Sequence, residues 1–167
     1  ASLGMRPKET QEIVGATVEA VSIPVFVKLS PSVTNIKIIA KAAEWGGADA
    51  ITAVNTVKAI AIDVNMRRPI LANVTGGLSG PAIKPIALRC VWDVVQAVNI
   101  PVIGCGGITT GEDAVEFILA GATALEVGTA VMTHGIGVYK DINDGIASYM
   151  TENGFKEIKE MVGLAQE

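Results

Sequence analysis

The spacing of apolar and polar residues predicts one strand, helix and strand module that occurs twice in this chain. Residues 23–28 and 100–104 both begin Ile-Pro-Val and continue as apolar runs, which is typical of buried parallel strands. Residues 48–54 and 122–127 supply a second apolar run in each module. The pattern therefore predicts four strands in two related pairs.

Apolar residues at helical spacing connect the two strands of each module. Thr34 and Thr110 precede these segments as predicted N-caps, and Asp113 completes a capping box with Thr110. The pair Gly46-Gly47 ends the first helix, and Gly121 ends the second. Further amphipathic helices are predicted over 8–21, 83–98, 136–150 and 155–162, with Ile86, Val91, Val94, Val95 and Val98 on the apolar side of 83–98.

Residues 55–83 form a long stretch without regular spacing. It contains the basic segment Arg67-Arg68-Pro69 and the glycine-rich segment 75–81. Loops of this length in compact domains are usually functional or disordered. Several apolar residues argue against disorder, namely Ile60, Ile62, Ile70, Leu71 and Val74. We interpret the stretch as an ordered active-site loop on the face where the strands end.

Four strands, each followed by a helix, place the chain in the α/β class, and we interpret them as the C-terminal half of a (β/α)8 TIM barrel. A complete barrel takes about 250 residues, whereas this sequence has 167. Residues 1–167 are thus expected to form a single partial domain whose N-terminal portion is missing. An open doubly wound sheet is the alternative. The absence of a Gly-x-Gly-x-x-Gly turn after an early strand favours the barrel.

Composition and charge limit the kinds of partner that the protein is expected to bind. Half of the residues are hydrophobic and the formal net charge is −4, without a cluster of Lys and Arg, which disfavours nucleic acid and anionic membranes. No apolar run reaches the roughly 18 residues of a membrane span, and we expect a cytoplasmic protein. Cys90 and Cys105 lie in apolar helix and strand segments, so we expect reduced thiols and neither a disulfide nor a metal site.

Glycines follow the last two predicted strands, at Gly106-Gly107 and at Gly128-Thr129. In a (β/α)8 barrel the loops after the last two strands commonly form a phosphate site, helped by the start of a helix. Glycine lets backbone N–H groups approach phosphate oxygens closely. The pattern predicts a site for a phosphate-bearing cofactor, with ordinary strand-to-helix turns as the alternative.

Polar residues at the ends of the first two strands are further candidates for binding a ligand. Lys28 stands in an apolar run, where an ammonium requires an anion or strong acceptors, unless it reaches solvent at the strand end. The pair Asn55-Thr56 offers amide and hydroxyl groups to a polar ligand. An Asx-type turn that holds the loop is the alternative for this pair.

Five segments of the sequence resemble the dihydroorotate dehydrogenases, both in their residues and in their order along the chain. They are 27–36, 54–56, 67–85, 106–108 and 128–129. The block from Arg67 to Arg89 is most similar to the NAD-linked 1B branch of class 1. This resemblance implies a barrel with FMN at the C-terminal ends of the strands, which oxidises dihydroorotate to orotate in pyrimidine (UMP) biosynthesis. The flavin domain of a dihydropyrimidine dehydrogenase is an alternative, and so is an inactive half-barrel.

The resemblance also implies roles for individual residues. Lys28 matches the lysine that contacts the FMN ring, and Val54 matches a backbone contact to the flavin. Asn55 and Thr56 match the pair that binds the pyrimidine substrate. Further FMN-contacting positions are matched by Gly80, Gly106, Gly107, Gly128 and Thr129, the last four around the phosphate. NAD-linked members work as homodimers with a second subunit that carries FAD and an iron–sulfur cluster, whereas close relatives reduce fumarate, so the electron acceptor stays open.

One expected motif is absent from the sequence. Class 1 enzymes use a Cys within Asn-x-Ser-Cys-Pro-Asn as the base, and neither Cys90 nor Cys105 has that context. We expect the base to lie upstream of Ala1, no catalytic residue to lie in this segment, and the 167 residues alone to be inactive. His134 is interpreted as a helix-entry residue and not as an acid or base. The arginines Arg67-Arg68 are more typical of solvated or interface positions than of a carboxylate site.

Overall fold

The computed structural model describes residues 4–166, so the expectations about Ala1 and the residues before it lie outside the described part. The strands are β1 (Phe26–Leu29), β2 (Ala50–Ala53), β3 (Val57–Ala59), β4 (Ile62–Asp63), β5 (Arg68–Pro69), β6 (Gly76–Leu78), β7 (Val102–Cys105) and β8 (Ala124–Glu126). The helices are α1 (Pro7–Ala20), α2 (Ile36–Trp45), α3 (Lys84–Val95), α4 (Gly111–Leu119), α5 (Ala130–His134) and α6 (Val138–Asn153), with 3-10 turns at Pro81–Ile83, Ile158–Glu160 and Leu164–Gln166.

Four strands form one parallel sheet in the order β1-β2-β7-β8, which confirms the α/β class and the four predicted strands. Lys28 lies opposite Thr52 in the register, and Cys105 lies opposite Glu126. Because successive side chains of a strand point to opposite faces, alternate residues of each strand share a face. β1 and β8 lie at the two edges of this sheet.

One face of the sheet packs against a layer of helices in which α2 contacts α3 and α3 contacts α4. Leu29, Ile51 and Val102 belong to the buried core between sheet and helices. Phe117 of α4 is fully buried there, which stabilises the fold by about 1.5 to 3 kcal/mol. Gly104 permits this packing, because a Cβ at that position would lie 2.7 Å from Cδ1 of Phe117.

The starts and ends of the two connecting helices largely follow the sequence prediction. The capping box of Thr110 and Asp113 is confirmed at α4, and Gly46 ends α2 as predicted. The predicted cap at Thr34 is wrong. Asn35 is the N-cap of α2, and its side chain accepts a hydrogen bond of 3.0 Å from the amide of Lys37. None of the helices in residues 4–166 combines the length and apolar character needed to cross a membrane.

Several predicted boundaries and buried positions are wrong. Phe26 is 59% exposed at the start of β1, which is an edge strand with one neighbour, and Ile23 lies before the strand and is 71% exposed. Ile86 lies outside the buried side of α3. The helix predicted over 136–150 is confirmed as α6, which begins two residues later, at Val138, and ends at Asn153; the short helix α5 that precedes it was not predicted. The helix predicted over 155–162 is reduced to one 3-10 turn.

The stretch 55–83 contains more regular structure than its spacing indicates. β3 pairs with β6, and β4 pairs with β5, both antiparallel. The β4–β5 pair lies between β3 and β6 in the chain, so the segment forms an excursion from the parallel sheet made of two nested strand pairs. Its apolar residues Ile60, Ile62, Ile70, Leu71 and Val74 are all exposed. The segment ends beside the C-terminal edge of the sheet, where the Oγ1 of Thr129 donates to the Oγ of Ser79 at 2.8 Å.

Candidate functional site

A cavity of ≈ 160 Å³ lies at the C-terminal ends of the parallel strands. All of the predicted site residues except Lys28 line it, namely Val54, Asn55, Thr56, Gly80, Gly106, Gly107, Gly128 and Thr129. The remaining lining residues are Ser79, Ile83, Cys105, Ile108, Thr109, Glu126 and Ala130. Ligand pockets commonly measure about 300 to 1,000 Å³, so this cavity matches one part of such a ligand, for example a phosphate group, and the rest of the ligand would extend beyond it.

Lys28 reaches the same region from the edge strand β1. Its Nζ donates to Oε2 of Glu126 at 2.6 Å and to Sγ of Cys105 at 3.3 Å, and both partners line the cavity. The other carboxylate oxygen of Glu126 accepts from the hydroxyl of Thr52 at 2.8 Å. Sequence reasoning predicted a partner for Lys28 but missed Glu126. The available signal was a lone acidic residue between Leu125 and Val127 in an apolar run.

The protonation states of this cluster follow from burial and contact. Burial raises the pKa of Glu126, but hydrogen bonds from Lys28 and Thr52 outweigh it and lower the pKa overall. Burial lowers the pKa of Lys28, yet the hydrogen bond to Glu126 and the contacts with Cys105 raise it overall. Burial raises the pKa of the Cys105 thiol against the effect of Lys28. The cluster thus holds an ammonium, a carboxylate and a neutral thiol.

Backbone amides supply donors at the cavity. The amides of Gly106, Gly107, Gly128 and Thr129 find no acceptor within residues 4–166. Unpaired amides of this kind are the groups that bind phosphate oxygens in turns. The predicted phosphate clamp therefore has the donors that such a ligand requires.

The glycines differ in what a side chain would meet. A Cβ at Gly107, where φ is +82°, would lie 2.8 Å from the amide nitrogen of Lys84 and 2.9 Å from the carbonyl oxygen of Gly80. A Cβ at Gly106 would lie 2.7 Å from the Cβ of Ala87. The close packing of α3 is enough to explain why these two positions are glycine, without any bound ligand. At Gly128 a Cβ would meet no atom within 4 Å, so the protein fold itself leaves room for a side chain there.

The pair Asn55-Thr56 lines the cavity and also makes local contacts. The amide of Thr56 donates to Oδ1 of Asn55 at 2.8 Å, as expected if Asn55 holds the turn. Thr56 packs closely on β6, where a Cβ at Gly77 would lie 2.2 Å from its Oγ1. Both the ligand-binding and the turn interpretations of this pair therefore have structural support.

The other sequence candidates lie elsewhere. His134 is the last residue of α5, and its Nδ1 lies 2.8 Å from Oγ1 of Thr133, so the interpretation as a helix-entry residue is wrong about its place in the helix. Arg68 lines a separate depression on the β4–β5 ladder. Neither residue lines the cavity at the strand ends. Cys90 and Cys105 are both free thiols.

A second ion-pair cluster links α3 to α4 next to the turn at Gly107. Nζ of Lys84 donates to Oδ1 of Asp113 at 2.7 Å and to Oε1 of Glu116 at 2.8 Å. The other oxygen of Asp113 accepts from the amide and hydroxyl of Thr109 and from the amide of Thr110, at 2.8 to 3.0 Å. This cluster joins the start of α3 to the start of α4 across the segment that follows Gly107.

Replacing Asp113 by asparagine is expected to lower the free energy of unfolding at pH 7 by about 2 to 4 kcal/mol, between the cost of a lost helix cap and that of a broken ion pair. Burial raises the pKa of Asp113, but hydrogen bonds from Lys84 and Thr109 outweigh it and lower the pKa far below its ordinary range. The stabilisation is therefore present above the ordinary aspartate pKa of about 3.9 and is lost as the pH falls below it.

Urea unfolding at pH 7 and at pH 3 measures this effect. The difference between the wild type and Asp113→Asn should shrink at pH 3. Asp141→Asn is the matched control, because Asp141 is an exposed aspartate in α6. The role assigned to Asp113 would be contradicted if Asp113→Asn and Asp141→Asn lowered the free energy of unfolding equally. It would also be contradicted if the difference between the wild type and Asp113→Asn were the same at both pH values.

Comparisons of the sequence with known proteins identify one family. The family model described as Dihydroorotate dehydrogenase matches residues 1–150. Relatives named "Dihydroorotate dehydrogenase B (NAD(+)), catalytic subunit" include those of Pyrococcus abyssi, 52% identical over 98% of this chain and 54% of the relative, and Thermococcus kodakarensis, 52% identical over 99% and 55%. The relative in Geotalea uraniireducens is 52% identical over 96% of this chain and 52% of its own length. The chain spans about half the length of these relatives.

Proposed function

The chain belongs to the dihydroorotate dehydrogenase family, and from that premise we propose that its protein oxidises dihydroorotate to orotate in pyrimidine biosynthesis, with FMN as cofactor. The observation that carries this proposal is the cavity at the strand ends, where Asn55-Thr56, the glycine turns and the Lys28 cluster converge. The residue types suit a phosphate next to a polar, planar ligand.

The residues present fit FMN. The unpaired amides of Gly106, Gly107, Gly128 and Thr129 would bind the phosphate, and Gly80 and Val54 would add backbone contacts. When bound, the flavin supplies a hydride acceptor whose reduced form carries negative charge. The ammonium of Lys28 would favour that charge. The amide of Asn55 and the hydroxyl of Thr56 would bind the pyrimidine ring by hydrogen bonds.

We propose that residues 1–167 form one partial domain, the C-terminal half of a (β/α)8 barrel. The sheet order β1-β2-β7-β8 follows the chain without a reversal, and successive helices contact each other on one face of the sheet. A doubly wound sheet reverses its strand order and carries helices on both faces, so these features favour the barrel. The cavity then lies where barrel enzymes place their active sites.

The base that removes a proton from the substrate is proposed to lie outside these residues. Cys105 lines the cavity, but burial raises the pKa of its thiol, and a neutral thiol is a weak base. Its sulfur also accepts a hydrogen bond from Lys28. The residues that this chain contributes to the reaction would therefore bind and orient, while a residue elsewhere in the protein takes the proton.

The electron acceptor is proposed to be NAD(+), reached through a partner subunit that carries FAD and an iron–sulfur cluster. The names of the relatives include NAD(+) and describe a catalytic subunit, which supports NAD(+) as the acceptor and a further subunit as partner, whereas FAD and the iron–sulfur cluster rest on the family resemblance. A homodimer of the catalytic subunit and a cytoplasmic location are the accompanying expectations.

Flavin extraction and substrate reduction test the function in protein purified from its intact gene. We expect FMN in the extract and anaerobic bleaching of the flavin on addition of dihydroorotate, with orotate as product. Dihydrouracil should leave the flavin oxidised. Bleaching by dihydrouracil alone would instead assign a dihydropyrimidine dehydrogenase, and protein without flavin would contradict both assignments.

A further inference from the structure

Each of the four parallel strands contributes one side chain to a single polar cluster beside the cavity. Lys28 comes from β1, Thr52 from β2, Cys105 from β7 and Glu126 from β8. The register pairs Lys28 with Thr52 and Cys105 with Glu126, so the contacts of Glu126 reach across the whole sheet. Such a cluster ties the two edges of the sheet together through one carboxylate.

Glu126 is the only charged side chain that lines the cavity in the part of the chain that the structure describes. A carboxylate opposes the binding of a phosphate or of a reduced flavin unless a cation offsets it. Lys28 provides that cation, with Nζ at 2.6 Å from Oε2. Thr52, which is 2% exposed, holds the second carboxylate oxygen. Both oxygens of Glu126 are thus engaged, and its orientation is fixed.

We infer that Glu126 is a positioning residue that holds Nζ of Lys28 beside the cavity and offsets its charge, and that it thereby sets how strongly the site favours reduced over oxidised flavin. This inference rests on the proposed function. With Glu126 in place, Lys28 presents a directed N–H donor and the pair is close to neutral. Without the carboxylate, Lys28 presents an uncompensated positive charge, which favours the anionic reduced flavin.

A redox titration of the FMN-loaded protein from its intact gene tests this role. Glu126→Gln should increase the affinity for reduced relative to oxidised FMN by about tenfold, a positive shift of about 30 mV for a two-electron couple. Glu126→Asp retains the charge and should shift the potential by less than a third as much. Thr52→Val removes one hydrogen bond to the carboxylate but no charge, and it should behave like Glu126→Asp.

A measurement without flavin tests the charge pairing independently. In protein stripped of FMN, Glu126→Gln leaves the ammonium 3.3 Å from Sγ of Cys105 without a neighbouring carboxylate, which favours the thiolate. Alkylation of Cys105 by iodoacetamide, followed by mass spectrometry, should therefore become several-fold faster. Cys90 is fully buried and serves as the internal reference.

The outcomes separate this inference from the proposed function. An unchanged potential in Glu126→Gln that retains FMN overturns the inference and leaves the function intact. An unchanged alkylation rate overturns the charge pairing itself. A wild-type protein that binds no FMN overturns the function together with this role. A positive shift in Glu126→Gln that is at least three times as large as in Glu126→Asp and Thr52→Val, with faster alkylation of Cys105, supports the inference.

Discussion

Replacing Lys28 by alanine is expected to slow the reduction of bound flavin by dihydroorotate by about 10²- to 10³-fold, the usual effect of removing one donor to a developing negative charge. The ammonium lies beside the cavity, 2.6 Å from Glu126 and 3.3 Å from Cys105. Its loss also leaves the carboxylate of Glu126 uncompensated, so we expect weaker FMN retention in addition to the slower reaction.

Anaerobic stopped-flow bleaching gives the rate, and the flavin-to-protein ratio gives the retention. Lys41→Ala is the matched control, because Lys41 is an exposed lysine of α2 that does not line the cavity. Adding Glu126→Gln to Lys28→Ala should restore FMN retention by about tenfold, since the pair interacts directly, and should not restore the rate. Unchanged flavin content and an unchanged single-turnover rate in Lys28→Ala would show that the role assigned to Lys28 is wrong.

Replacing Gly128 by leucine is expected to weaken FMN binding by about 100-fold or more without unfolding the protein. Gly128 lines the cavity, and a Cβ there meets no atom within 4 Å, so the backbone has room for a side chain at this position. We expect the leucine side chain to occupy the space proposed for the phosphate. Hydrogen bonds to a charged group contribute about 1.5 to 3 kcal/mol each, and each 1.4 kcal/mol is about tenfold in affinity.

Two other glycines make this experiment specific. Gly137→Leu is the control, because Gly137 also has open space around its Cβ position but does not line the cavity. Gly107→Leu is less informative, since its Cβ would lie 2.8 Å from the amide nitrogen of Lys84 and disturb the start of α3. Fluorescence titration measures the affinity for FMN, and the melting temperature measures stability. Gly128→Leu should lower only the affinity, Gly107→Leu should lower both, and Gly137→Leu should leave the affinity unchanged. Normal FMN affinity in Gly128→Leu would argue against a phosphate at this turn.

Local patterns in the sequence predicted much of the architecture. The apolar runs predicted all four strands of the parallel sheet, and the Thr110–Asp113 spacing predicted the capping box of α4. These features depend on residues close together in the chain, which is why spacing reveals them. The choice of Asn35 over Thr34 as a cap depends on backbone angles that spacing does not carry.

The sequence by itself determined which residues gather at the strand ends, because the carboxyl ends of parallel strands meet at one edge of a sheet. Lys28, Asn55-Thr56 and the glycine turns come together there for that reason. Only the tertiary structure decided that Glu126 is the partner of Lys28. These two residues stand on opposite edge strands, far apart in the chain, and contact follows from sheet order and register, which no local pattern encodes.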